Sequence, residues 1–249
     1  MRVAISGTYS TGKTTIALAL SYVTGIPFSF ARTMREILPK SMPNKRLEEC
    51  GGHELIELGI RRLENRIVNE SPLGTNFISD GCSLNEWVYG AARIKAGLNP
   101  SEKSYLIYLK KLLQRKKWKI FSESVAAFGE IAKQHAKSNY DMVIHLPIEF
   151  PLVLDGHRPA SEGFRRLSDK MLVKSYYELG LDYKIINGTT GERIEKILDV
   201  LQINPVMDIH KAIEKARKYK TSRFDNIQLE NPVLMRASLT VESNHFNLF

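Results

Sequence analysis

Gly7-Thr8-Tyr9-Ser10-Thr11-Gly12-Lys13-Thr14 fits the pattern G-x-x-x-x-G-K-[ST] without a mismatch. What flanks this stretch makes it decisive for the fold. Residues 2–6 are a short run of β type that stops at Gly7, and residues 14–24, rich in Ala and Leu, read as a helix. A strand, a glycine-bounded loop and a helix in that order form a cradle for phosphate. Gly7 and Gly12 let the backbone curl, so that the N–H groups of Thr8, Tyr9, Ser10 and Thr11 turn toward phosphate oxygens. The helix N-terminus adds partial positive charge around Lys13, Thr14 and Thr15. Lys13 is expected to bridge the β- and γ-phosphates of a nucleotide and the Thr14 hydroxyl to hold Mg²⁺.

Working outward, strand and helix signals alternate. Further strands are expected at 26–30, 76–79, 142–146 and 183–186. Helices are expected at 33–38, 49–69, 84–96, 102–118, 124–138, 165–179 and 192–201, with Gly51, Gly52 and Gly59 weakening the second of them. This alternation predicts an α/β fold, a five-stranded parallel sheet with helices on both faces. Residues 1–203 read as one domain. Residues 204–249 read as a C-terminal extension with a basic helix at 210–219 and a tail of weak periodicity.

The chain has 249 residues, with 43% hydrophobic and 25% charged, an ordinary globular balance. No apolar run reaches the length of a membrane span. The start runs directly into a strand pattern with no signal-peptide regions, and Cys50 and Cys82 cannot build a disulfide framework. A reducing cytoplasm is the expected setting, and secreted and membrane classes are excluded. Cys50 and His53 are too few for a metal centre. The 36 Lys and Arg against 27 Asp and Glu give a net charge of +9, which favours a polyanionic or phosphate-rich partner.

Other motifs narrow the class. Asn44-Lys45-Arg46-Leu47 lacks the Asp of a guanine-reading N-K-x-D, and the third strand ends in Asp80-Gly81 rather than in the Asp-Glu of an ATPase motor. Asp80 stands at the carboxyl end of a parallel strand, where ligands bind in such sheets. It is a candidate for holding Mg²⁺ or for accepting a proton; the alternative is a helix cap. Arg158, Arg165 and Arg166 crowd a turn-rich segment after the fourth strand, which suits a cover of about 155–168 that brings guanidinium groups to a transferring phosphoryl group. Gly188 and Thr189, with Arg193 opening the next helix, are expected near the base of the bound nucleotide.

GTYSTGKT at 7–14, FISDGCSLNEWVYG at 77–90, DGHRPASEGFRR at 155–166 and INGTTGERI at 186–194, taken in order, resemble the P-loop nucleoside and nucleotide kinases. The resemblance is in particular to an ATPase-like kinase domain family that includes ribosylnicotinamide kinases, and it covers about residues 1–203. It implies Mg·ATP as donor, and Arg158 and Arg165 in a lid. Two departures stand out. Gly81 replaces an arginine frequent in such kinases, and Thr33 occupies the place after the second strand where an acid often serves as base, with Glu36 a turn further on.

The expected acceptor is a nucleoside-type hydroxyl. Basic runs at 110–119 and 211–223, with Tyr105, Tyr108, Trp118 and Tyr219 interleaved, suit contact with the backbone and bases of duplex or single-stranded DNA. The chain is in this respect similar to phage kinases of the same family that phosphorylate 5-hydroxymethyluracil within DNA for hypermodification, which would place it in a host cytoplasm. A base in DNA is the favoured acceptor. The alternatives are a free nucleoside, ribosylnicotinamide or nucleotide kinase, and an ATP-dependent regulatory or DNA-binding protein without phosphotransfer.

Overall fold

A computed structural model describes residues 1–100, 102–152 and 161–229. Among them are strands β1 (Arg2–Ser6), β2 (Phe28–Phe30), β3 (Phe77–Asp80), β4 (Met142–His145) and β5 (Tyr183–Ile185). The helices are α1 (Lys13–Thr24), α2 (Met34–Ser41), α3 (Gly52–Glu70), α4 (Ser83–Ala96), α5 (Ser104–Leu113), α6 (Arg115–Asn139), α7 (Glu162–Leu179), α8 (Thr190–Leu201) and α9 (Ile209–Leu229). The strands form one parallel sheet in the order β2-β3-β1-β4-β5. The α/β fold with a five-stranded parallel sheet is therefore as the alternation of signals predicts.

Side chains alternate across each strand, so β1 feeds two cores. Val3 and Ile5 join Ile78 and Ile144 beneath α1, α8 and α9, where Ile16, Leu20, Ile194, Ile197 and Ile213 are buried. Ala4 faces the other way, with Phe77 and Val143, against Leu84 and Val88 of α4, Ala136 of α6 and Leu172 and Tyr176 of α7. Helix α9 belongs to the first core: its Ala212 and Ala216 are fully buried. Further along α9, at the β2 edge of the sheet, the Arg223 guanidinium lies 3.9 Å from the centre of the Phe30 ring and pairs with Glu36 at 2.9 Å.

Several boundaries differ from the sequence reading. The single helix expected at 102–118 breaks at Gln114, whose backbone (φ −113°, ψ 35°) leaves the helical region, and α6 then runs unbroken through the gap expected at 119–123. Strand β3 continues one residue further, so Asp80 lies in the ladder opposite Ile5. Two of the three glycines that weakened α3 are there for close approach: a Cβ at Gly52 would sit 2.8 Å from Phe121, and one at Gly59 would sit 3.0 Å from Phe128 of α6, while Gly51 is the N-cap of the helix. Among the described residues, no helix is long and apolar enough to cross a membrane.

Candidate active site

The phosphate loop leaves β1 at the centre of the sheet and enters α1. Gly7 has φ +135°, and a Cβ there would stand 2.5 Å from the Leu146 carbonyl, so only glycine fits. Gly12, at φ +91°, opens α1 in the left-handed region. Between them every carbonyl has a donor. The Gly7 oxygen accepts from Asn85 Nδ2 at 2.9 Å, and the Thr8 oxygen from Thr11 Oγ1 at 2.9 Å and from Lys13 Nζ. The Tyr9 and Ser10 oxygens accept from Arg165 at 3.0 and 3.2 Å, and the Thr11 oxygen from Arg193 at 2.7 Å. The Gly12 oxygen accepts from the Ile16 amide at 3.0 Å, the first helical bond of α1. In a trans peptide the N–H points opposite to the carbonyl, so the arginine bonds to the Tyr9, Ser10 and Thr11 oxygens turn the following amides away from Arg165 and Arg193, neither of which lines the cavity.

Asp80, at the end of β3, accepts a hydrogen bond from Thr14 Oγ1 at 2.7 Å. It does not cap the next helix: the N-cap of α4 is Cys82, and Asn85 Oδ1 accepts from the Cys82 amide at 2.9 Å. Lys13, Thr14 and Asp80 all line one cavity of about 430 Å³. Its apolar wall comes from Ala31, Ile56, Tyr89, Phe121, Val125 and Phe128, on α3, α4, α6 and the segment after β2. Arg93 also faces it. This side chain donates to the carbonyls of Leu98 and Tyr89 and lies 5.2 Å from the centre of the Phe164 ring; burial pulls its pKa down to about 10. Thr33 lines the cavity as well, whereas Glu36 accepts from the Thr33 amide and from Arg223. Burial alone raises the Glu36 pKa, but Arg223 and Thr33 outweigh it and hold the carboxyl below its ordinary value.

Beneath Asp80 lies a charged cluster that sequence reasoning missed. Arg66 of α3 is fully buried and donates to Ser79 Oγ at 2.7 Å, to the Gly81 and Asp80 carbonyls at 3.1 and 3.2 Å, and to Glu86 Oε1 at 2.7 Å. Glu70 pairs with the same guanidinium at 3.4 Å and accepts from Tyr140 at 3.0 Å. A Cβ at Gly81 would meet Arg66 Nη2 at 2.8 Å, so the guanidinium reaches the position after Asp80 from α3 instead of from residue 81 itself.

His135 lies in the same cluster, and burial, then Arg66, pushes its pKa from 6.5 down to about 4, although Glu70 is 3.7 Å away. The folded protein thus refuses a proton that the unfolded chain takes up below about 6.5. Stability from this residue is complete above that pH and is lost as pH falls toward 4. Urea midpoints at pH 7 and 5 are expected to differ less in His135→Gln than in the parent; an equal difference would assign the acid loss to other groups.

Of the other residues singled out from sequence, Gly188 donates its amide to Glu149 at 3.0 Å, and Thr189 caps α8 in a reciprocal box with Glu192. Arg193, one turn on, ties that helix to the loop carbonyl of Thr11. Arg165 is fully buried, with its guanidinium on loop carbonyls and on the Phe150 oxygen. Arg158 lies outside the described residues. Both cysteines are buried free thiols, with burial pushing Cys82 up to about 12, which suits neither metal binding nor nucleophilic attack.

A deoxyadenosine kinase from M. mycoides, solved with bound dCTP, superposes with a TM-score of 0.50 at 15% identity, covering 81% of this chain and 99% of that one. The NadR protein in complex with NR gives a TM-score of 0.49 at 17% identity, over 82% of this chain and 51% of that one. No curated protein matches. The architecture is that of the P-loop kinases. The AAA domain model matches residues 2–193, from the first strand through the phosphate loop and Asp80 to Arg193, and the chain belongs to that family.

Proposed function

We propose that this chain is a Mg·ATP-dependent kinase that transfers the γ-phosphoryl group to a hydroxyl of a nucleoside-type acceptor. The observation that carries the reading is the 2.7 Å hydrogen bond between Thr14 and Asp80 where the phosphate loop opens into the cavity. A hydroxyl and a carboxylate oxygen at that place suit Mg²⁺, which takes one or two protein oxygens and completes its shell from phosphates and water. Among the described residues no larger group of His, Cys, Asp or Glu gathers as a protein metal cage would. When bound, Mg²⁺ neutralises charge on the β- and γ-phosphates.

Lys13 and the inward amides hold those phosphates. The acceptor oxygen forms its bond to the γ-phosphorus as the bond to the β–γ bridging oxygen breaks. ADP leaves with that electron pair, and Asp80 is the candidate to receive the hydroxyl proton, its other role being to hold Mg²⁺. The apolar wall keeps out water, the competing acceptor. Arg158 is assigned to the charge on the transferring group.

The cavity volume falls at the lower end of the about 300–1,000 Å³ common for small-molecule sites and favours a single free nucleoside or nucleotide as acceptor. The fold shared with a deoxyadenosine kinase is compatible with that class. Three residues of the basic runs are engaged within the chain: Lys110 pairs with Glu102, Lys111 donates to the Ile94 and Lys95 carbonyls, and Arg223 pairs with Glu36. A base within DNA is the second reading, favoured by the exposed Arg115, Lys116 and Lys117 beside the exposed Tyr105 and Tyr108.

The test offers γ-labelled ATP and Mg²⁺ to a mixture of free nucleosides, nucleotides, plain DNA and DNA containing 5-hydroxymethyluracil. Label is expected in a small molecule. Label in the modified DNA alone would favour the second reading, and ATP binding without any labelled acceptor would sink the transfer reaction for this panel.

A further inference from the structure

Arg165 and Arg193 enter the sequence 156 and 182 residues after the loop carbonyls they hold. Their side chains are at most 1% exposed. Arg165 reaches the Tyr9 oxygen through Nε and the Ser10 oxygen through Nη2; Arg193 reaches the Thr11 oxygen through Nη1. Three successive carbonyls are thus pulled away from the hollow by two guanidinium groups.

A buried arginine needs acceptors, and each has others that fix it in place. Arg165 Nη1 donates to the Phe150 oxygen at 3.0 Å and pairs with Glu162 at 3.3 Å. Arg193 pairs with Glu149 and lies 4.9 Å from the centre of the Phe150 ring. Glu149 in turn accepts from the Gly188 amide. Phase by phase, β4's exit loop, the start of α7 and the start of α8 converge behind the phosphate loop.

We propose that Arg165 and Arg193 are positioning residues that preset the phosphate loop, turning the amides of Ser10, Thr11 and Gly12 toward the nucleotide's phosphates from behind without touching them. The proposal rests on the reading of the loop as a nucleotide site, and it gives Arg165 a role different from closing over the transferring phosphoryl group. A loop preset in this way spends no binding energy on reorganising its own peptides, which is how fixed dipoles gain their effect. The forked, planar guanidinium matters: one group spans two adjacent carbonyls in Arg165, which an ammonium on a flexible stem does not reproduce.

Calorimetric binding of Mg·ATP and of Mg·tripolyphosphate, the latter probing the loop without a base, tests this on the full chain. Arg193→Gln and Arg165→Gln are expected to weaken both ligands by about 10- to 100-fold, the range seen when a group that orients a binding residue is lost. Millimolar methylguanidinium is expected to restore part of the loss. Arg165→Lys and Arg193→Lys, which keep the charge, serve where the glutamine variants fail to fold, and are expected to show the same weakening with a native melting transition. Wild-type affinity for tripolyphosphate in the folded variants would overturn the proposal, as would a loss that methylguanidinium leaves untouched in every folded variant. A wild-type protein that binds both ligands yet labels no acceptor would sink phosphotransfer to that panel and leave the brace standing. A wild-type protein that binds neither ligand would refute the nucleotide site and the brace with it.

Discussion

Asp80→Asn is expected to lower the turnover of phosphoryl transfer by about 10²- to 10⁴-fold, the usual contribution of a positioned acid or base. Asparagine keeps the shape and still offers Oδ1 to Thr14, whose hydroxyl now bonds the carboxylate at 2.7 Å, so the loop and strand should stay in place. What disappears is the negative charge at the mouth of the cavity. The two roles open to Asp80 then separate. If the carboxylate mainly holds Mg²⁺, the variant needs far more metal, and saturating Mg²⁺ recovers much of the rate. If it mainly takes the acceptor proton, metal dependence is unchanged and the rate stays low at saturating Mg²⁺. A variant within threefold of the parent rate at every Mg²⁺ concentration would remove Asp80 from the mechanism.

Arg66→Met is expected to cost about 3–5 kcal/mol of folding stability, the range seen when one partner of a buried ion pair is removed. The guanidinium lies between Glu70 and Glu86, whose side chains are at most 4% exposed, and it also ties the Ser79 hydroxyl and the backbone at Asp80 and Gly81. Methionine fills much of the volume and leaves Glu70 buried without its cation, while Glu86 keeps only Arg62, at 2.9 Å. A domain of this kind has about 5–15 kcal/mol in total, so the loss is a large share of it. The denaturant midpoint reads this directly. Adding Glu70→Gln to the variant should restore part of the loss, because the uncompensated charge is then gone. A change below about 1 kcal/mol in Arg66→Met would mean that water already solvates the cluster.

The phosphate loop was legible because it is local: its glycines, lysine and threonine sit in consecutive positions, and the flanking strand and helix follow from hydrophobic period. The sheet was legible for a similar reason, since buried parallel strands are continuous apolar runs. Asp80 was found through its place at a strand end. Arg66 was not, because nothing in the pattern of α3 distinguishes an arginine that turns inward from the solvated Arg61 five residues before it. The signal that was available is indirect: Glu86 lies in the first turns of an otherwise buried stretch of α4, and a carboxylate there needs a cation from elsewhere. The bonds of Arg165 and Arg193 are equally invisible, as their partners are backbone oxygens, which carry no residue identity. The break at Gln114 was missed because the apolar period runs through it on both sides.

The order of the strands also sets a timetable for synthesis. β1 is made before the other strands yet ends between β3 and β4, with Arg2 opposite Phe77 and Val3 opposite Met142. As the chain emerges, this apolar segment waits for β3 on one edge and longer for β4 on the other, and its exposed edges must be kept from pairing with other chains until Met142–His145 has followed. The loop that immediately follows it is completed later still, since the Thr11 oxygen waits for Arg193. A loop made ahead of four of the five strands is therefore among the last segments to take its final shape, and a nascent chain arrested in between would carry the loop without the arginine that holds it.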